Sequence, residues 1–132
     1  MSESTTQRRG HRLGGLLTWF GVLGGALAWA VHLFVAWGAD ELTCESGSTS
    51  IDGIPLRGVV GAGVVLPALV TGAALVVAWR AWRRTSRAEH GDDPRMARAG
   101  MMALIGLCAN VLFLAIILAG GAAVLVLQPC QR

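Results

Sequence analysis

Three long apolar stretches limit what this chain can fold into. They cover about residues 13–38, 58–82 and 100–127, and each reaches the roughly 20 residues that a helix needs to cross a bilayer. Hydrophobic residues make up 54% of the 132 residues and charged residues 14%, whereas ordinary soluble domains carry about 25% charge. The sequence therefore predicts an all-α membrane protein whose residues 13–132 form one domain of three transmembrane helices.

The first stretch also has features of a secretory signal peptide. A basic tail, residues 1–12, precedes it, and Ala28-Trp29-Ala30 offers a small-x-small cleavage site. A signal peptide has an apolar region of roughly 7 to 15 residues, whereas this stretch has about 26. We therefore expect the stretch to be retained as a membrane helix.

Arginine is distributed unevenly between the segments that flank the apolar stretches. All eleven basic residues are arginine; nine lie in tail 1–12 and in the predicted loop 80–99, and two in the predicted loop 39–57 and at the C-terminus. The positive-inside rule then predicts a cytoplasmic N-terminus and a cytoplasmic loop 80–99, with loop 39–57 and the C-terminus outside. The arginines assigned to topology or to lipid headgroups are Arg8, Arg9, Arg12, Arg80, Arg83, Arg84 and Arg87.

The basic character of the chain does not indicate a nucleic-acid-binding protein. The isoelectric point is about 9.3, but the arginines bracket apolar stretches and no polar face studded with aromatic residues accompanies them. The predicted partners are the lipid bilayer and other membrane-protein subunits, or further copies of this chain, with no nucleic acid. The predicted location is the bacterial cytoplasmic membrane.

Two of the three cysteines fall on the predicted outer side. Cys44 follows the first stretch and Cys130 follows the third, and this side is oxidising in bacteria. We expect a disulfide between them, and the alternatives are two unpaired cysteines, a metal site or a thiol redox pair. Cys108 lies within the third stretch and is expected to be a quiet buried thiol.

His32 is an ionisable residue inside a predicted span, where such a side chain is expensive. At 100° per residue, Gly21, Gly25, Ala28 and His32 form one narrow stripe, so the histidine is expected to face protein. By the helical rise it lies level with Gly63 of the second span and with Gly120 or Gly121 of the third. We expect a structural hydrogen bond between helices; the alternatives are contact with a partner subunit, and haem, proton-relay or substrate chemistry.

Other polar residues within the spans are few. Asn110, with Gly106 one turn away, is expected to join helices by packing and hydrogen bonding, and lies about 15 Å from His32 in depth. Thr71 can bond back to its own helix. Pro67 should kink the second helix unless a neighbour satisfies the carbonyl that it frees.

One resemblance covers the first span and the end of the chain. The block GALAWAVHLFVAW, a polar exit leading to Cys44, and the ending Gln128-Pro129-Cys130 resemble small uncharacterised bacterial membrane proteins of the sort associated with haem-copper terminal oxidases. The resemblance implies an accessory or assembly role. It supplies no catalytic residue.

These observations predict a non-catalytic accessory subunit or assembly factor of a larger membrane complex, such as a respiratory one. We expect no enzyme activity, no cofactor and no metal, since the chain has no Walker motif, nucleophile elbow or HExxH motif. The first alternative is a small oligomeric transporter or channel. The second is a membrane haem or thiol-redox protein that uses His32, or Cys44 with Cys130.

Overall fold

The fold was analysed in a computed structural model of the whole chain. It describes the backbone of residues 3–47, 50–51, 54–88 and 94–126, together with most of their side chains from residue 14 onward. Three α-helices account for nearly all of these residues: α1 is Glu3–Ser46, α2 is Leu56–Ala88 and α3 is Pro94–Val126. Each helix packs against the other two. The predicted all-α fold is confirmed.

Each helix contains a segment that is long and apolar enough to span a membrane. These segments are Gly14–Glu45, Gly58–Arg87 and Met96–Val124. The chain is therefore a multi-pass membrane protein by the length and composition of its helices.

α1 and α2 continue at both ends beyond the predicted spans, and α3 begins before its predicted span and ends at Val126. α1 already begins at Glu3, within tail 1–12, and it ends at Ser46, inside predicted loop 39–57. At 1.5 Å per residue, its 44 residues exceed the roughly 30 Å thickness of a hydrocarbon core. A fall in hydropathy marks the edge of the apolar core, but it does not end a helix, because arginine and alanine are good helix formers.

The two predicted loops are corrected in the same way. Predicted loop 39–57 contains the end of α1 and then strands β1, Ser50–Ile51, and β2, Ile54–Pro55, which pair antiparallel. α2 begins directly after β2. The predicted arginine-rich loop 80–99 is mostly helical, because α2 extends to Ala88 and α3 begins at Pro94. The segment 89–93 lies outside the described residues.

Small residues form the interior of the bundle and bulky apolar residues cover its outside. The buried apolar residues are mainly alanines, and Ile117 is the large exception. Phe34, Trp37 and Leu69 are 73%, 67% and 65% exposed. This arrangement suits a protein in lipid, because small residues let helix backbones approach closely and bulky ones meet the acyl chains.

Candidate functional site

Three polar side chains are buried in the described part of the bundle, one from each helix. They are His32 of α1, Thr71 of α2 and Asn110 of α3, with exposed fractions of 5%, 0% and 0%. A buried polar group in a membrane helix requires a hydrogen-bond partner, because the surrounding hydrocarbon offers none. These three residues are therefore where a functional site inside the bundle would be found.

The stripe predicted on α1 faces the interior. Gly21, Gly25, Ala28 and His32 are all buried, whereas Leu27, which lies outside this stripe, is 65% exposed. The prediction that His32 faces protein is thus confirmed.

His32 joins α1 to α2 by a hydrogen bond. Its Nδ1 lies 2.9 Å from the carbonyl oxygen of Gly63. Since a carbonyl can only accept, Nδ1 carries the proton and donates. The predicted hydrogen bond between helices is present, at the predicted depth on α2.

Pro67 explains why the Gly63 carbonyl is available to His32. In a regular α-helix this carbonyl would accept the amide N–H of residue 67, but proline has no N–H to donate. The imidazole of His32 provides the missing donor from a neighbouring helix. His32 therefore satisfies the carbonyl that Pro67 frees.

The other ring nitrogen of His32 faces α3. A Cβ added to Gly120 would lie 2.9 Å from His32 Nε2, and a Cβ added to Gly63 would lie 2.5 Å from a methyl group of Val35. The missing side chain at Gly120 gives the imidazole its space, whereas the missing side chain at Gly63 gives Val35 its space. Nε2 therefore lies beside Gly120 of α3.

Asn110 joins α3 to α1 at a different level. Its Nδ2 donates to the carbonyl oxygen of Gly21 at 2.6 Å and to that of Gly106, in its own helix, at 2.7 Å. Its Oδ1 is buried with no hydrogen-bond partner and lies against Gly25, where an added Cβ would collide with it. Asn110 therefore makes a hydrogen bond between α3 and α1, and Gly25 provides the space for the amide.

Thr71 bonds back to its own helix, as its position predicted. Its hydroxyl donates to the carbonyl oxygen of Pro67 at 2.8 Å. The Thr71 methyl group would lie 3.2 Å from a Cβ on Gly25, so the residue also packs against α1.

His32 and Asn110 are not brought together. Asn110 bonds to Gly21, which precedes His32 by eleven residues, or about 16 Å of helix. Each of the three polar side chains gives a proton to a helix carbonyl. They stabilise contacts within and between helices, and they do not line a continuous polar path.

Two further contacts join α1 to α3, and only the aromatic one was not foreseen from the sequence. The Trp29 and Phe113 rings pack with centroids 5.6 Å apart. A Cβ on Gly106 would lie 2.8 Å from the carbonyl oxygen of Gly21 and 3.3 Å from Val22 Cα, so the two backbones touch at Gly106. Gly106 lies four residues before Asn110, and the packing predicted for this pair occurs at the backbone of Gly21 and Val22.

The arginines of α2 lie at one end of the bundle. Arg80, Arg83, Arg84 and Arg87 are all exposed, and the Arg83 guanidinium lies 4.9 Å from the centroid of the Trp79 ring. The side chains of Arg8, Arg9 and Arg12 lie outside the described part of the chain.

The cysteine prediction remains a prediction. Cys44 is exposed near the end of α1, and Cys130 lies outside the described residues. Cys108 is a free cysteine, and it is exposed on α3 where a buried thiol was expected. Among the residues that the structure describes, no group of three or more His, Cys, Asp and Glu side chains could hold a metal ion.

The fold and its interior define a class of protein: a three-helix membrane protein whose buried polar side chains bond to helix carbonyls. No protein family, curated protein or solved structure matches the chain.

Proposed function

We propose that this protein is a non-catalytic accessory subunit or assembly factor of a larger membrane complex, such as a respiratory one. The hydrogen bonds of the buried polar side chains support the proposal. Each of His32, Thr71 and Asn110 donates to a carbonyl of the bundle itself. A protein in which these three side chains hold the helices together is expected to act through its outer surface.

The alternatives need features that the described residues do not favour. A channel or transporter formed by several copies needs polar side chains that face a shared aqueous path, whereas the exposed side chains along the spans are mainly apolar. A haem protein that uses His32 needs space for the haem at Nε2, and the residue is buried with this nitrogen beside Gly120 of α3. The accessory role requires neither.

The proposed location is the bacterial cytoplasmic membrane, with the N-terminus and the arginine end of the bundle in the cytoplasm. The arginine count supports this orientation through the positive-inside rule. The hairpin β1–β2 would then lie outside.

Site-specific photo-crosslinking in native membranes tests the proposed function. A photoreactive residue is placed in turn at Phe34, Leu69 and Leu112, which are 73%, 65% and 60% exposed on three different helices. We expect one defined membrane protein to be crosslinked from one or two of these positions. The matched control is Ala74, which is 0% exposed and should give only crosslinks within the chain.

Three results would contradict the accessory role. Crosslinks only to lipid from all three exposed positions would indicate a protein without a stable partner. Crosslinks only to other copies of the chain, together with solute flux in proteoliposomes, would favour the transporter. A visible Soret band in the purified protein that is lost in His32→Ala would favour the haem protein.

A Cys44–Cys130 disulfide is proposed together with this orientation, and its formation can be counted. When the protein is denatured and alkylated without reductant, we expect one label, at Cys108. When it is reduced before alkylation, we expect three labels. Intact mass counts the labels in both samples. Cys108→Ser should gain none without reductant, which makes it the matched control. Three labels on unreduced wild-type protein would exclude the bridge and remove one support for the orientation.

A further inference from the structure

Two buried polar atoms in the described part of the bundle have no hydrogen-bond partner. They are Nε1 of Trp29 on α1 and Oδ1 of Asn110 on α3. The indole N–H can only donate and the amide oxygen can only accept, and since neither has a partner, they do not bond to each other. Each residue lies near the midpoint of its apolar segment, Gly14–Glu45 of α1 and Met96–Val124 of α3. Both atoms would therefore be near the centre of a bilayer, where hydrocarbon offers no partner.

The orientation of the Asn110 amide is fixed by its other bonds. Nδ2 donates to the carbonyl oxygens of Gly21 and Gly106 at 2.6 Å and 2.7 Å. A flipped amide would place Oδ1 against these two oxygens, acceptor against acceptor. Oδ1 therefore stays on the side of Gly25, whose Cα offers only C–H groups, and these are weak donors. The amide oxygen still needs an N–H or O–H donor.

The Trp29 indole lies near this oxygen without bonding to it. Trp29 follows Gly25 by one turn of α1, and side chains in helices lean over the turn on their N-terminal side. The Trp29 ring packs against the Phe113 ring, with centroids 5.6 Å apart, and Phe113 follows Asn110 by three residues. These relations place the indole N–H and the amide oxygen about one helical turn apart or less, roughly 5 Å.

A water molecule has the chemistry that completes this pair. It can accept from the indole N–H and donate to the amide oxygen, and two such bonds span up to about 5.7 Å. Buried waters typically bridge polar groups that protein atoms leave unpaired. The pair carries no charge that would compensate a bound ion, which is costly to bury. We propose that one water molecule binds between α1 and α3, accepting from Trp29 Nε1 and donating to Asn110 Oδ1.

The test uses the full-length, isotope-labelled protein in deuterated detergent micelles and measures magnetisation transfer between water and the Trp29 indole proton by NMR. We expect a cross-peak of opposite sign in the laboratory-frame and rotating-frame experiments, which distinguishes a held water molecule from chemical exchange of the proton. Asn110→Leu should remove this cross-peak, because leucine has a similar volume but no acceptor. Trp19 of the same helix, which is 64% exposed, is the matched control, and its indole signals should be unchanged in Asn110→Leu.

Trp29→Phe examines the site from the other side, so that the test does not depend on the folding of Asn110→Leu. Phenylalanine keeps a ring against Phe113 but has no N–H. The side-chain amide protons of Asn110 should then lose their own cross-peak to water, while they still bond to the Gly21 and Gly106 carbonyls. Circular dichroism shows whether each variant keeps the helical content of the wild type.

Each other outcome overturns the proposal. The absence of a water cross-peak at Trp29 in the wild type would show that the interface does not admit water. Transfer between the Trp29 indole proton and the Asn110 side chain, without water, would show a direct hydrogen bond. A Trp29 cross-peak that persists in Asn110→Leu, or an Asn110 cross-peak that persists in Trp29→Phe, would show water that this pair does not hold.

Discussion

His32→Phe is expected to destabilise the bundle by about 1 to 3 kcal/mol, the cost of a buried carbonyl left without a donor. Phenylalanine fills a similar volume, but it cannot donate to the Gly63 carbonyl, which accepts from His32 Nδ1 at 2.9 Å. Pro67 has no amide proton to offer in its place. The stability can be measured by reversible unfolding in mixed micelles of increasing SDS content, followed by circular dichroism.

A double-mutant cycle separates this explanation from a loss of packing. Pro67→Ala restores the amide N–H that would bond to the Gly63 carbonyl within α2. In the Pro67→Ala background, His32→Phe should therefore cost much less than in the wild type. Equal costs of His32→Phe in the two backgrounds would show that the histidine and the proline are not coupled.

Thr71→Val is the control for His32→Phe. It removes a buried polar side chain without leaving a carbonyl that has no other donor. The Thr71 hydroxyl donates to the Pro67 carbonyl at 2.8 Å, but within α2 that carbonyl also has the amide of residue 71 as a donor. Thr71→Val should therefore cost less than His32→Phe. If it costs as much, a carbonyl left without any donor is not the source of the effect at His32.

The burial of the α1 stripe could be predicted because it depends on one helix alone. Once α1 is helical, Gly21, Gly25, Ala28 and His32 must share a face, and small residues on that face favour helix packing. Depth could be predicted for the same reason, since the rise per residue is constant. His32 does meet Gly63 and Gly120 at the expected level.

The side chain that donates to the carbonyl freed by Pro67 could not be predicted, because its identity depends on how α1 and α2 are rotated against each other. The sequence showed that Pro67 frees a carbonyl and that His32 lies level with Gly63, but depth does not specify which face of α2 meets α1. Close approach at Val35 and Gly63 brings the two groups together. The helix ends were missed for a different reason: polar residues continue a helix beyond the membrane, and hydropathy does not record this.

Gly106→Ala is expected to destabilise the bundle by about 1 to 3 kcal/mol, the usual range for overpacking a tight interior. The added Cβ would lie 2.8 Å from the Gly21 carbonyl oxygen and 3.3 Å from Val22 Cα. Both are backbone atoms, so α1 and α3 must move apart. That movement also lengthens the bond from Asn110 to the Gly21 carbonyl, which is 2.6 Å. The same SDS titration measures the loss.

Gly72→Ala is the matched control for Gly106→Ala. Gly72 lies inside α2, and an added Cβ there meets nothing within 4 Å. Both substitutions carry the same gain in helix propensity, about 0.5 to 1 kcal/mol, so Gly72→Ala should leave the stability unchanged or raise it. The difference between the two variants isolates the backbone contact between α1 and α3. If both variants are equally stable, the two helices have room for a methyl group at Gly106, and the contact that places Asn110 against Gly21 is not tight.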